Sequence, residues 1–374
     1  MMKIHYQLLL IVSLLYSGCT FSRSEINYPS SIKPNQVFVL SFSGDLVTVV
    51  RNDNMELWQF NTVSNEIIFH FTFEEKFEKQ LYSLHANDEG ESYKRVKHIY
   101  DMNDVKDPLK IGRYYVNETN RIFTIIEAYD VKPVSKQNIN RAYDPDKDFE
   151  LDPFHVLVEL GRDTIVKYLP IENIFMNTGY FLQGGIDFFQ DEGDWILPVA
   201  QPQMNLSGKN YFLGRWQQKQ GKLIFNSFLP LEIPNFNKQS LGGYGLSDFI
   251  YKNKKLMFYS NPYLYDIEKM QSRELKLVIS DQGSYLGKQK GESFVIPISI
   301  CDYYISENKV KVIIRHKSSF HIYQYNLKDY SLLDHKPITD YTTTDLYRFP
   351  FFSKEGRIVF TPKTTNDIVI INDK

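Results

Sequence analysis

Six times along the chain a polar corner bearing Gly or Asn leads straight into a run of β-formers, and this repeat restricts the available folds more than any other feature. The corners are Ser43-Gly44-Asp45, Thr119-Asn120-Arg121, Glu192-Gly193-Asp194, Asn253-Lys254-Lys255, Glu307-Asn308-Lys309 and Glu355-Gly356-Arg357. Gly and Asn accept the positive φ of a tight hairpin, and the alternation that follows, as in Leu46-Val47-Thr48-Val49, makes a half-buried strand. A second, usually aromatic-rich strand follows each corner after a loop, at 55–60, 154–158, 211–216, 262–267, 320–327 and 367–372, and a further strand follows most of these. With the strand that precedes each corner, the unit is a meander of four antiparallel strands.

Successive corners are separated by seventy-odd residues at first and by roughly fifty later, close to the spacing of propeller blades. Polar, charged insertions at 73–97 and 130–152 account for the two long intervals. The expected fold is therefore all-β: a six-bladed β-propeller of four-stranded antiparallel blades, which buries both faces of each sheet and leaves only short edges. The alternative is seven blades, with 73–110 holding the extra one. The chain stops after the third strand of its last sheet, so 25–30 is expected to close the ring by pairing with 368–371. Residues 36–374 form one domain in this reading.

The N-terminus reads as an export signal: Lys3, an apolar run from Leu8 to Leu15, then Tyr16-Ser17-Gly18-Cys19. The run is too short for a spanning helix, which needs about 20 apolar residues, and polar Ser17, Thr20, Ser22 and Arg23 follow at once. Residues 1–18 are thus expected to be a lipoprotein signal peptide, Cys19 the lipidated mature N-terminus, and 19–35 a tether. With Cys19 acylated, only Cys301 remains, so no intramolecular disulfide can form and the fold must hold by its core. Cys301 lies in the apolar run Ile298-Ser299-Ile300-Cys301 and reads as a packed residue.

These features together resemble lipoproteins of Bacteroides-like bacteria that carry a six-bladed, TolB-like β-propeller, a group that includes domains of unknown function. The resemblance rests on 15–19, the six corners, and motifs such as Tyr263-Leu264-Tyr265-Asp266 and 352–360. It implies an envelope location and carries over no catalytic residue. The residues after Cys19, Thr20-Phe21-Ser22-Arg23-Ser24-Glu25, lack the dense acidic run that resembles a surface-export signal, so the expected placement is the outer membrane with the propeller facing the periplasm.

Chemistry is sparsely written in the chain. Asp187-Phe188, Asp248-Phe249 and Asp302-Tyr303 place an acid beside an aromatic, five residues before three of the corners, on strands expected to be innermost. Asp187, Asp248 and Asp302, joined by Arg113 and Arg348, are candidates to rim a central channel and meet a ligand; the competing reading has the acids bond backbone amides of neighbouring blades. Tyr244 and Tyr263 sit in turn-like sequence near blade ends and would either stack on a partner or pack internally.

Enzyme and metal signatures are not matched. The alternating acids of 144–152 have Phe149 and His155 where a calcium loop begun at Asp144 needs Gly and Glu. His155, His316 and His321 lack zinc-site spacing, and Gly245-Leu246-Ser247-Asp248-Phe249 ends in Phe rather than the Gly of a nucleophile elbow. No cofactor or metal is expected. The balance of 43 basic and 45 acidic residues gives no electrostatic case for nucleic acid. The expected function is a non-catalytic binding or scaffold module for an envelope protein, peptide or glycan. The alternatives are a glycan-processing hydrolase or lyase on the same scaffold, and a structural subunit of an envelope assembly.

Overall fold

The computed structural model describes residues 22–102, 109–133, 149–174, 181–182, 188–202, 209–229, 249–258, 261–278, 286–289, 292–295 and 299–372. Six antiparallel blades form a ring. Blade 1 runs Val37–Ser43, Leu46–Arg51, Glu56–Asn61, Ile67–Thr72, and blade 2 runs Lys110–Val116, Ile122–Pro133, Phe149–Gly161, Thr164–Pro170. Blade 3 comprises Phe189–Asp191, Asp194–Pro202, Lys209–Lys219 and Lys222–Leu229, with Phe181–Leu182 also paired to its second strand. Blade 4 comprises Phe249–Lys252, Lys255–Phe258, Asn261–Asp266 and Gln271–Glu274, and blade 5 Ser299–Ser306, Lys309–His316, Ser319–Asn326 and Leu332–Ile338. Blade 6 takes Phe351–Phe352, Ile358–Phe360 and Ile368–Asn372 from the end of the chain and Ser22–Ile26 from its beginning.

The six blade interfaces are six apolar clusters, and period-two alternation assigns each strand residue to one or the other. In blade 6, Ile358, Phe360, Val369 and Ile371 face blade 5, whereas Val359, Ile368 and Ile370 face blade 1. Trp195, Leu197 and Trp216 of blade 3 face blade 2, and Ile196 and Leu213 face blade 4. Because both faces of the middle strands are covered, these read as continuous burial, as in Leu46–Arg51 and Glu56–Asn61, while the outer strand Ile67–Thr72 alternates between half-buried and exposed along most of its length.

The closing strand differs from the sequence expectation by a few residues. It is Ser22–Ile26, in register Ser22 to Asn372 and Ile26 to Ile368. The insertion after blade 1 is helical: α1, Glu75–Ala86, and α2, Glu91–Met102, pack over the interface of blades 1 and 2. A seventh blade does not form there, because the apolar residues Phe77, Leu81, Tyr82 and then Tyr93, Val96, Ile99, Tyr100 recur at helical rather than strand spacing. Asn87 takes the left-handed conformation that ends α1, and Asp88 accepts the Gly90 and Ser92 amides to start α2. The second insertion is an extension of a blade: the middle strands of blade 2 stay paired as far as Pro133 and Phe149, with Asp130 opposite Asp152.

Since strands alternate in direction, every corner between first and second strands lies on one face of the ring, together with the turns between third and fourth strands. All of these are short, as at 44–45, 162–163, 192–193, 220–221, 253–254 and 307–308. Among the described residues, the opposite face receives the helical pair, the long blade 2 hairpin and the connection that enters blade 6.

Candidate functional site

The two ends of the axis are built differently. On the short-turn face, buried carboxylates clamp neighbouring blades. Asp302, 5% exposed on the inner strand of blade 5, accepts Lys252 Nζ of blade 4 at 2.7 Å, the Phe352 amide of blade 6 at 2.7 Å and the Tyr303 amide at 2.8 Å. Tyr303 reinforces the joint, receiving the Lys252 amide at 2.8 Å and donating to Lys255 O at 2.6 Å. Asp191 does the same for blades 3 and 4, accepting Arg215 at 2.9 Å and Tyr251 Oη at 3.0 Å. Glu159 is held by Arg121 within blade 2. Burial opposes ionisation of Asp266, but the Lys255 ammonium and the Lys269 amide outweigh it and hold the carboxyl below its usual value. These acids are saturated by cations and amides, which is the chemistry of a fastener.

Lys354 ties three blades together at this end. Its ammonium crosses from blade 6 past blade 1 to blade 2, donating to Asn117 O at 2.8 Å, Glu118 O at 3.3 Å and Asn120 Oδ1 at 3.0 Å, while its amide reaches Phe42 O of blade 1. Burial lowers its pKa, although Glu118 and Glu355 act the other way. On the same face, a shallow groove of about 600 Å³ lies between blades 5 and 6, lined by Tyr304, Lys309, Glu355 and Arg357 among others.

The other end carries Arg348. Arg348, in the connection entering blade 6, lays its guanidinium over the Phe38 ring of blade 1, 3.4 Å from the centroid. Arg113, on the inner strand of blade 2, stands close enough that its charge adds to burial in pushing the Arg348 pKa down to about 10. The adjacent Phe349 turns the opposite way, toward Phe320, and is capped by Arg315 at 4.7 Å. Neither Arg348 nor Arg315 has a carboxylate partner among the described residues; Arg315 donates to Ser299 Oγ at 2.9 Å.

Of the residues singled out from sequence, Arg113 and Arg348 are brought together, and Asp302 lies at the clamped end with all its bonds directed into protein. Tyr263 is buried between blades 3 and 4, 8% exposed, so its ring packs internally. Cys19, Asp187, Tyr244 and Asp248 lie outside the described residues. Cys301 is buried at the interface of blades 5 and 6, and burial raises its thiol pKa far above the ordinary range. Sequence reasoning missed Phe38, Arg315 and Lys354. Only the basic residue beside a corner, Lys354-Glu355-Gly356, hinted at the last.

No protein-family model matches the chain, and no curated protein matches it. Among solved structures it is similar to a Bacteroides fragilis protein described as exported, at 9% identity over 95% of each chain with a TM-score of 0.45. It is also similar to the β-propeller domain of Myceliophteria thermophila Cps50 (Swd1), at 8% identity over 95% of this chain and 98% of that one, TM-score 0.39. Kluyveromyces lactis Hsv2 matches at 8% identity over 92% and 72%, TM-score 0.35. The molecule is a six-bladed β-propeller, established by its own strand pairing and ring closure.

Proposed function

We propose that the protein is an envelope lipoprotein, held at the outer membrane by acyl chains on Cys19 and facing the periplasm. Its propeller serves as a non-catalytic binding module for a protein, peptide or glycan. The observation that carries this reading is the asymmetry of the ring. One face of the ring is edged by short turns; the other, among the described residues, bears the helical pair, the long blade 2 hairpin and the connection that carries Arg348. Binding sites collect where a rigid scaffold presents variable connections, so the partner is assigned to the elaborated face.

The test uses the full chain in its native envelope with a photoreactive residue at Ser318, in the elaborated-face turn of blade 5, or at Lys328, in a short-turn corner. Cross-links from Ser318 and not Lys328 support the reading, and the reverse pattern overturns it. Fatty-acid labelling that survives Cys19→Ala would overturn the anchor.

A further inference from the structure

Three histidines stand on one face of blade 5. Period-two alternation carries His316, His321 and His335, on the second, third and fourth strands, to the side that packs against blade 4 with Val312, Ile314 and Tyr323. His321 pairs across the ladder with Pro337, and Tyr323 with His335, so His321 and His335 are diagonal neighbours, a separation that aromatic side chains span. Their rings lie nearly parallel, 5.2 Å between centroids and 16° between planes, and His321 Nδ1 is 3.1 Å from His335 Nε2. His70 faces the Glu56 carboxylate and His85 the Tyr168 hydroxyl; here one imidazole faces another.

The bonds around Ser319 decide which nitrogen of His321 bears the proton. Ser319 Oγ donates its single hydrogen to His316 O at 2.9 Å, so at its 3.1 Å contact with His321 Nε2 it can only accept. Nε2 therefore carries the hydrogen of neutral His321, and Nδ1 turns a bare lone pair toward His335. An imidazole whose second nitrogen donates to a fixed acceptor is oriented as metal-ligating histidines are. Burial first, then the charges of His335 and His316, keeps His321 in the neutral, ligating form at pH 7. Two imidazole nitrogens on a tetrahedral zinc, each about 2.0–2.1 Å from the ion, stand about 3.3 Å apart. The pair is close to that spacing, and a turn of each ring about χ2, a soft torsion, aims both lone pairs at one point.

We propose that His321 and His335 form a seat for a divalent transition metal that prefers nitrogen ligands, zinc or copper, with Ser319 as a positioning residue. The His316 ring stands 6.2 Å from that of His321, and no three metal-ligating side chains converge among the described residues. The seat thus supplies two ligands and leaves the remaining positions to water, an open arrangement. Magnesium, which takes oxygen ligands, does not suit it. A bound ion would tie the third strand of blade 5 to the fourth at the outer edge of the ring, and this role is independent of the partner-binding reading.

The test is a competition titration of Zn2+ between a chromophoric chelator and the full chain in detergent, carrying no histidine tag, with Mg2+ as the control ion. The seat predicts that Zn2+ binds and raises the melting temperature, that EDTA reverses the rise, and that Mg2+ does neither. Ser319→Ala should weaken Zn2+ binding roughly tenfold, the scale of losing a partner that orients a ligand, and His335→Gln and His321→Gln should weaken it further. His70→Gln, remote from the seat, should bind as the parent does. Cu2+ in place of Zn2+ should give an electron paramagnetic resonance signal split by two imidazole nitrogens, which reads the seat in the unaltered protein without any variant; melts in EDTA establish that the variants are folded. Failure of the unaltered protein to bind Zn2+, or a His335→Gln affinity equal to the parent's, would overturn the seat and leave a hydrogen-bonded histidine pair. A parent-like affinity in Ser319→Ala would overturn the positioning role.

Discussion

Asp302 is where the ring is most exposed to a single change, because one carboxylate joins three blades. Replacing it with Ala removes a charge-assisted bond to Lys252 at 2.7 Å and a buried acceptor for the Phe352 amide at 2.7 Å. Breaking a buried ion pair by deleting one partner costs about 3–5 kcal/mol. The Lys252 side chain is 30% exposed, so its ammonium can partly rehydrate and the lower end of that range applies. The Phe352 amide has no such escape. We therefore expect Asp302→Ala to lose about 3 kcal/mol and Asp302→Asn, which keeps an acceptor for an amide, about half that. Urea unfolding followed by the fluorescence of Trp58, Trp195 and Trp216 reads the change directly. Adding Lys252→Met to Asp302→Ala should recover part of the loss, since it removes the stranded ammonium. A cost for Asp302→Ala within about 0.5 kcal/mol of zero, the level of an ordinary surface change, would refute the clamp.

Gly356 has φ +78°, and a Cβ there would meet the Tyr304 ring at 2.5 Å, whereas Gly44 has φ +59° with open space around it. Urea midpoints should therefore fall further for Gly356→Ala than for Gly44→Ala, each by at least about 1 kcal/mol; equal losses would mean that the ring contact is immaterial. Burial, followed by the charges of His335 and His316, lowers the His321 pKa, and burial lowers that of His155. A histidine with a depressed folded pKa binds its proton more readily when unfolded, so it penalises the folded state once pH falls below about 6.5. Stability should decline from pH 7 toward pH 5, less steeply in His321→Gln, and a parallel decline in that variant would exclude His321 as a source. In a Cys19→Ser background, the remaining thiol, Cys301, should react with a thiol reagent only on unfolding; rapid labelling of the native protein would contradict its burial.

The repeat was legible because a blade needs two local signals, a positive-φ corner and period-two apolar residues, and both are contiguous in the chain. The closing strand was harder to register. Arg23, Ser24 and Glu25 are exposed, so Ser22–Ile26 is held by its ladder to Ile368–Asn372 and carries no apolar alternation to locate it. The helical pair was hidden for a related reason: between Glu74 and Lys97 charged residues outnumber the few apolar ones, and only their spacing marks a helix. For Asp302, the sequence offered both a channel role and an inter-blade role. Choosing between them required Lys252 and Phe352, which come from other blades. The stack of Arg348 on Phe38 joins opposite ends of the chain and has no local signature at all.

Closing the ring with an N-terminal strand has a geometric consequence for the proposed anchor. Ser22 lies opposite Asn372, at the short-turn end of blade 6. Cys19 is three residues upstream, which allows about 10 Å of extended chain. An acyl anchor at that position would hold the short-turn face against the membrane and turn the elaborated face away from it. On that face Lys254 is paired with Glu192 and Glu268, Lys255 with Asp266, and Arg357 with Glu355, whereas exposed Lys219, Lys222 and Lys328 have no carboxylate partner among the described residues. With an acyl anchor at Cys19 those lysines would face anionic headgroups and add electrostatic attraction to the hold of the acyl chains.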